Sequence, residues 1–535
     1  MNNILKYTIL LGAAAGLMTS CIKEEFPTDV VTTDQIVSSS AGMEVAVNST
    51  NAWLTQFNGA LESHGDFGYP GICMGLDALT ADVACGPDFG YDAEFLRWRA
   101  VSTVSADGNA PNFVWKYFYS LNNLANAVLA SIDLENPTEI QKTYAGQALV
   151  YRAMAYLYMA RVFEYKGTET GAFEGLTVPI VTETTTELEA QNNPRVPHAE
   201  MYKFIIEDNL LKAIDLLDGY QREAKNLVDQ SVAYGMLARA YLYDGKWAEA
   251  EKAARKAIDL SGCRPMTEAE WMNPTTGFNS IDNPAWMWGI IITSDDRVVT
   301  SGICNFISFM SPEATYGYVS AGGYKSVKQI DVNLFASIPD TDWRKHSWLD
   351  PDRSKYNYQS AALSQAAINS LPDYAPLKFR PAGGDGKNYK VGSAADFPIM
   401  RVEEMYLIEA EAAGMQDVAR GQQLLVSFVK THRDPSFVSR ATTSAQLQDE
   451  VYHQAQIELW GEGHIMFYNK RLNKPQIRGY KGTNHFDGSR YNSPNGTACW
   501  TTLPIPTLEL NSNSALAAAQ NPNPQTLRGT EWIDE

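Results

Sequence analysis

The sequence predicts a mainly α-helical protein: a scaffold of helical hairpins, a large irregular loop-rich lobe and a few short strands. Three observations predict it. Apolar residues recur at helical spacing across about 41–262 and again across about 397–472. Between them, about 263–396 loses that period and becomes rich in Gly, Pro, Ser, Trp and Tyr, with short apolar runs such as Trp286–Ile292 and Ile303–Met310. The clearest unit is Ser231–Leu260, two helical segments joined at Asp244-Gly245-Lys246, where glycine tolerates the positive φ that ends a helix.

In that unit Leu237, Ala238 and Tyr241 share a face, with Tyr234 one turn earlier. Ala250, Ala253, Ala254 and Ala257 make a stripe of small residues that lets a partner helix approach closely. The register resembles a tetratricopeptide hairpin, with Ala254 in place of the usual large aromatic and Gly262 in place of the closing proline. Such a hairpin cannot bury its apolar face alone, so further helices are expected around it.

At the N-terminus, residues 1–20 carry one lysine and an apolar core from Tyr7 to Leu17, too short for a typical spanning helix and suited to a secretory signal. Leu17-Met18-Thr19-Ser20-Cys21 resembles a bacterial lipobox, in which Cys21 is lipidated. Ile22-Lys23-Glu24-Glu25 is similar to the surface-export signal of Bacteroidetes lipoproteins. Residues 21–40 then read as a polar tether. A helix is expected from Ala41 through Leu61, a loop-rich section over Ser63–Ala110, and helices over Asn112–Ser131, Ile140–Arg161 and Ala199–Leu217. Ile140–Arg161 is apolar on nearly all sides, so it should be buried between others. After the lobe, helices are expected over Arg401–Ala413, Val418–Lys430 and Ser444–Gly461, and a coil-rich end over 473–535. The whole of 41–535 reads as one domain.

The formal charge of −19 comes from 62 acidic and 43 basic residues without a basic run, which argues against nucleic acid or an anionic membrane surface as partner. Of six cysteines, lipidation would use Cys21; the odd remainder leaves at least one free thiol, with Cys73 and Cys85 near enough in sequence to pair. No Cys-x-x-Cys occurs. Nor does any His-Glu-x-x-His, phosphate-loop, dinucleotide or nucleophile-elbow pattern, and the seven histidines are scattered, so neither a metal nor a cofactor nor an enzymatic activity is expected. Two facing carboxylates for glycoside hydrolysis remain the one catalytic arrangement that spacing alone leaves open, with Asp77/Asp82 and Asp340/Asp342 as candidates against a turn-forming role.

Several stretches together resemble the SusD/RagB family of outer-membrane lipoproteins. They are the lipobox, the tyrosine-rich helix ending before Gly167, and Phe397–Ala412 with its Pro398, Arg401, Glu404 and Tyr406. Ile457–His464 with Glu458 and Glu462 follows, although Gln456 stands where Arg is expected and Tyr468 where Asp is common. Leu503–Leu510 with Asn513, and Gln520-Asn521-Pro522, complete the series. The resemblance implies a surface-exposed, outer-membrane lipoprotein that binds glycan oligomers, or alternatively peptides, and passes them to a SusC-like TonB-dependent transporter. A lipid-anchored tetratricopeptide adaptor that binds only protein is the alternative from another class.

For glycan binding, sugar C–H faces stack on aromatic rings while hydroxyls need polar side chains. Two regions combine these: Asp77–Arg99, with Asp77, Tyr91, Trp98 and Arg99, and Tyr316–Lys325, with Tyr316, Tyr318 and Tyr324 among glycines. These seven residues are the candidate ligand-binding set, and Trp286, Trp288, Trp343 and Trp348 are expected in the core.

Overall fold

The computed structural model describes residues 40–86, 95, 106–165, 175–320, 326–498 and 501–521. Residues 1–39, with the expected signal segment, the lipidation site Cys21 and nearly all of the tether, lie outside the described residues, as do Tyr91, Trp98, Arg99 and Tyr324. Among the described residues no helix is long and apolar enough to cross a membrane.

The chain enters through α1 (Ser40–Trp53) and α2 (Tyr69–Ala78), then β1 (Val83–Cys85), α3 (Asn109–Ala130) and α4 (Glu139–Phe163). A capping box starts α4: Thr138 accepts from Gln141 N, and the Gln141 side chain accepts from Thr138 N at 2.9 Å. From Ala145 to Phe163 every residue is buried, as its all-round apolar pattern predicts, and α4 packs against α1 and α3. The loop-rich reading of 63–110 missed α2. Pro70, Gly71 and Gly75 read as breakers, yet all ten residues of α2 are buried. Gly71 and Gly75 serve close packing instead: a Cβ on Gly71 would stand 2.6 Å from Gly65 O, and one on Gly75 3.0 Å from the Phe95 ring.

The single helix expected over 199–217 is α5 (His198–Lys203) and α6 (Leu211–Leu216) joined by a π-helical stretch, Phe204–Leu210. Asn209 accounts for the insertion. Its buried amide donates to Phe204 O, five residues back, at 2.8 Å and accepts from Arg152 Nε of α4 at 2.6 Å.

The hairpin unit is α7 (Gln230–Tyr243) and α8 (Trp247–Ser261). Asp229 caps α7 by accepting from Val232 N at 3.1 Å, and Gly262 ends α8 at φ 64°. The four alanines of the α8 stripe are buried, and α8 packs on α9 (Val402–Gly414), the helix that follows the lobe. Then come α10 (Val418–His432), α11 (Ser444–Glu458) and α12 (Ile465–Leu472). The helical array is therefore continuous in space although residues 263–396 interrupt it in sequence. Two strands close the interruption: β2 (Trp286–Ile290) pairs antiparallel with β4 (Phe397–Arg401), with Trp286 opposite Arg401 and Ile290 opposite Phe397. Trp286, Trp288 and Trp348 are fully buried, and Trp343 is half-buried against the core. Cys73, Cys263 and Cys304 are free thiols, so Cys73 forms no bridge to Cys85.

A buried ionic network fastens lobe to scaffold. Arg401 forks onto Glu462 at 2.8 and 2.9 Å and reaches Glu458 at 3.1 Å and Glu403 at 3.0 Å. Arg433 forks onto Glu458 at 2.8 and 2.9 Å and reaches Glu403 at 3.0 Å. From the lobe, Arg344 contacts Glu458 at 2.9 Å and Asp342 at 2.6 Å, and Lys378 contacts Glu462 at 2.6 Å. All eight side chains are buried, and four cations balance four carboxylates. Burial pushes the Glu458 carboxyl up, but Arg433, Arg401 and Arg344 overcome it and hold it well below the usual range. The motif residues Arg401, Glu458 and Glu462 thus have a structural role. Gln456, in the place of an expected Arg, donates to Asp82 at 2.9 Å.

Removing one partner of a buried pair leaves the rest uncompensated, which costs about 3–5 kcal/mol. Glu458→Gln is expected to lower the unfolding free energy by that order in urea denaturation. Arg420→Gln, at a pair on the scaffold surface with Glu251, should change it by less than about 1 kcal/mol.

Candidate functional site

Described residues beside the two aromatic-rich regions singled out in the sequence are paired with each other. β1 pairs antiparallel with β3 (Lys328–Ile330), with Val83 opposite Ile330 and Cys85 opposite Lys328. The Cys85–Lys328 end of this ladder is where the chain departs toward residues 87–105 and where it arrives from residues 321–325. The other end is tied down, since Asp331 N donates to Asp82 O at 3.0 Å. A two-stranded ladder therefore brings together stretches that are more than two hundred residues apart in sequence.

A third segment joins them. His64 Nδ1 and the Tyr318 hydroxyl are 2.5 Å apart, linking the 61–65 loop to the lobe. The Tyr318 ring lies 4.5 Å from Phe309, which in turn lies 5.4 Å from Phe67. The backbone of 316–320 is fixed on the short helix Phe306–Met310: Tyr318 N donates to Ser308 Oγ at 2.9 Å and Val319 N to Ser308 O at 3.1 Å. Tyr316, two residues earlier, turns to another neighbour and meets Tyr389 edge-on at 6.5 Å. Burial of its hydroxyl pushes its pKa up to about 12. Both tyrosines are half-buried, so each combines a fixed ring with partial exposure. His64 and Phe309 were not singled out in the sequence; His64 stands 254 positions from Tyr318, and no local pattern links them.

Asp77 is placed differently. It is 3% exposed, and its Oδ2 accepts from Gly463 N at 2.9 Å. A carboxyl at that depth braces the turn after α11 and does not reach a ligand at the surface. The apolar run Gly71–Leu79 around it was the available signal. Asp82 is also buried and accepts from Gln456. Asp340 and Asp342 hold Lys345 and Arg344 respectively, so neither acid pair has the free, facing carboxylates that glycoside hydrolysis requires. Among the described residues no group of three or more His, Cys, Asp or Glu side chains is placed to hold a metal ion.

Two open clefts of about 680 and 590 Å³ flank the 180–193 segment. The second has Tyr119, Lys116 and Glu509 in its wall, but its Trp115 is only 3% exposed and offers no open ring face.

Comparison with known proteins gives consistent matches. Residues 77–242 match a family model described as starch-binding associating with outer membrane, and residues 344–523 match the SusD family model; together they take in more than half of the chain. A SusD-like carbohydrate binding protein from Bacteroides vulgatus is 23% identical, with 89% of this chain and 96% of that one covered and a TM-score of 0.72. A SusD superfamily protein from Bacteroides thetaiotaomicron is 19% identical over 92% and 100% of the two chains, with a TM-score of 0.68. A laminarin binding SusD-like protein is 17% identical over 90% and 99%, with a TM-score of 0.59. No curated protein sequence matches the chain.

The Asp77 carboxyl gives a pH signature. Burial pushes its pKa up to about 7, against about 4 in an unfolded chain, so folding takes up a proton between those values. Stability linked to it is complete below about pH 4 and is lost as pH rises to about 7. Asp77→Asn should therefore gain Tm relative to the parent steadily from pH 4 to 7, then level off. Parallel curves would contradict this placement.

Proposed function

The chain belongs to the SusD/RagB family, and from that premise we propose a cell-surface lipoprotein that binds glycan oligomers and delivers them to a SusC-like TonB-dependent outer-membrane transporter. The family is carbohydrate-binding and outer-membrane-associated, and its members are nutrient-binding proteins without chemistry of their own. The glycan is held by the loops at the open end of the β1–β3 ladder, with Tyr318 and Tyr316 as its described aromatic groups. Tyr91, Trp98, Arg99 and Tyr324 are proposed there from the sequence alone.

The observation that supports this reading is the ladder itself, which pairs residues 83–85 with 328–330, next in sequence to the two aromatic-rich stretches. A ring that stacks on a sugar must be held in place before binding, because immobilising a free side chain costs affinity. The contacts of Tyr318 with Phe309, His64 and Ser308 supply that restraint. The hairpin α7–α8 is a poor alternative site for a peptide, because its small-residue stripe is covered by α9. The scaffold instead supports the loops and faces the transporter.

Titration of the full chain against panels of oligosaccharides and peptides tests the reading. Saturable binding of a glycan class without turnover is expected. Co-purification of the transporter with no glycan binding would favour a protein-only adaptor. Tyr318→Ala and Trp98→Ala should each weaken glycan binding roughly tenfold or more, the loss typical of a buried aromatic contact. Unchanged affinity in both would remove the site from this edge.

Anchoring is tested separately. Cys21→Ala should move the protein from the membrane fraction to the soluble fraction. Retention of the variant in the membrane would contradict lipidation at Cys21.

A further inference from the structure

Arg161 sits in the last turn of α4 and is 5% exposed. Its Nε donates to Leu157 O at 3.0 Å, and its guanidinium lies 3.7 Å from the Phe467 ring centroid and 4.8 Å from that of Tyr158. Among the described residues no carboxylate pairs with it, and neither Nη has an acceptor within hydrogen-bond reach. Arg195, also buried without a carboxylate partner, shows the usual remedy: its three nitrogens donate to Thr177, Ala519, Phe163 and Leu176 carbonyls and to Asn521 Oδ1. Arg161 lacks any such set.

What Arg161 faces is a cavity of about 30 Å³ that it lines with Arg239, Arg471, Tyr243, Tyr468 and His464, and with one carboxylate, that of Glu404. A single water needs ~10–15 Å³, so the space holds one or two small occupants. The charges around it do not cancel. Arg239 is matched by Glu404 at 2.7 and 2.6 Å, and Arg471 by Glu411 at 2.5 and 2.8 Å. Burial lowers His464 to about 4, so it is neutral, and burial raises both tyrosines, so their hydroxyls keep their protons. The C-terminal end of α4 offsets part of the remaining charge. A guanidinium cannot shed its proton, and a buried charge without a partner is costly.

We propose that this cavity binds one small monovalent anion of halide size, held by the Arg161 Nη groups with Arg239, Arg471 and the Tyr468 hydroxyl around it. The site lies where α4, α7, α9 and α12 meet, so an anion there ties the first helices of the scaffold to those that follow the lobe.

The test measures Tm of the full chain in sodium chloride, bromide and gluconate at equal ionic strength, and anomalous scattering from bromide-soaked crystals. A saturable rise in Tm with either halide but not with gluconate is expected, together with a bromide peak at hydrogen-bond distance from Arg161. Arg161→Met should abolish the halide response. Tyr468→Phe, which keeps the ring packing, should shift the half-saturating halide concentration up several-fold. Equal Tm in halide and gluconate, water without bromide in the cavity, or a halide response that survives Arg161→Met would overturn the site.

Discussion

The arrangement of the molecule depends on the interior ionic network around Glu458. Arg401 enters it from β4 at the start of α9, Arg433 from the end of α10, and Arg344 and Lys378 from the lobe. Charges so buried tolerate little misplacement, because each must find its partner in a medium that cannot solvate it. The lobe has short helices and few strands, so its own backbone pairing gives it little rigidity. Its position relative to the helices is set largely by these salt bridges and by the pairing of β2 with β4.

That constraint reaches the β1–β3 ladder. Gln456 and Trp460, on either side of Glu458, both hold Asp82: the Gln456 amide donates to its carboxylate at 2.9 Å and the Trp460 indole donates to its carbonyl at 3.0 Å. Asp82 directly precedes β1, and β1 pairs with β3 of the lobe. The same short segment that closes the ionic network therefore also positions the ladder from which the aromatic-rich loops emerge. The helical hairpins form the body of the fold, and the lobe carries β3, the partner of β1 in the ladder.

Much of the scaffold was legible in the sequence, since long amphipathic or all-apolar helices announce themselves locally. The hairpin α7–α8 and the buried helix α4 fall within a residue or two of their expected bounds. The helix α2 was not legible, because Gly71 and Gly75 look like breakers until their packing neighbours are known. The π-helical stretch depends on Asn209 reaching Arg152, a tertiary contact. For the proposed site, the sequence singles out two aromatic-rich regions but cannot relate them, since the ladder register and the His64–Tyr318 contact join distant positions. Asp77 was misjudged for a related reason: an acidic residue near aromatics resembles a ligand group, whereas its apolar neighbours and its bond to Gly463 make it an internal brace. Arg401, Glu458 and Glu462 stood out only as family markers, and the structure gives their physical role.

The most direct test of the account is hydrogen–deuterium exchange of the full chain with and without a saturating oligosaccharide. Protection is predicted in peptides covering 61–65 and 316–320, together with the sequence-proposed stretches beside them, and none is predicted in α7 or α8. Protection centred on the α7–α8 hairpin, with the ladder-edge peptides unchanged, would contradict it.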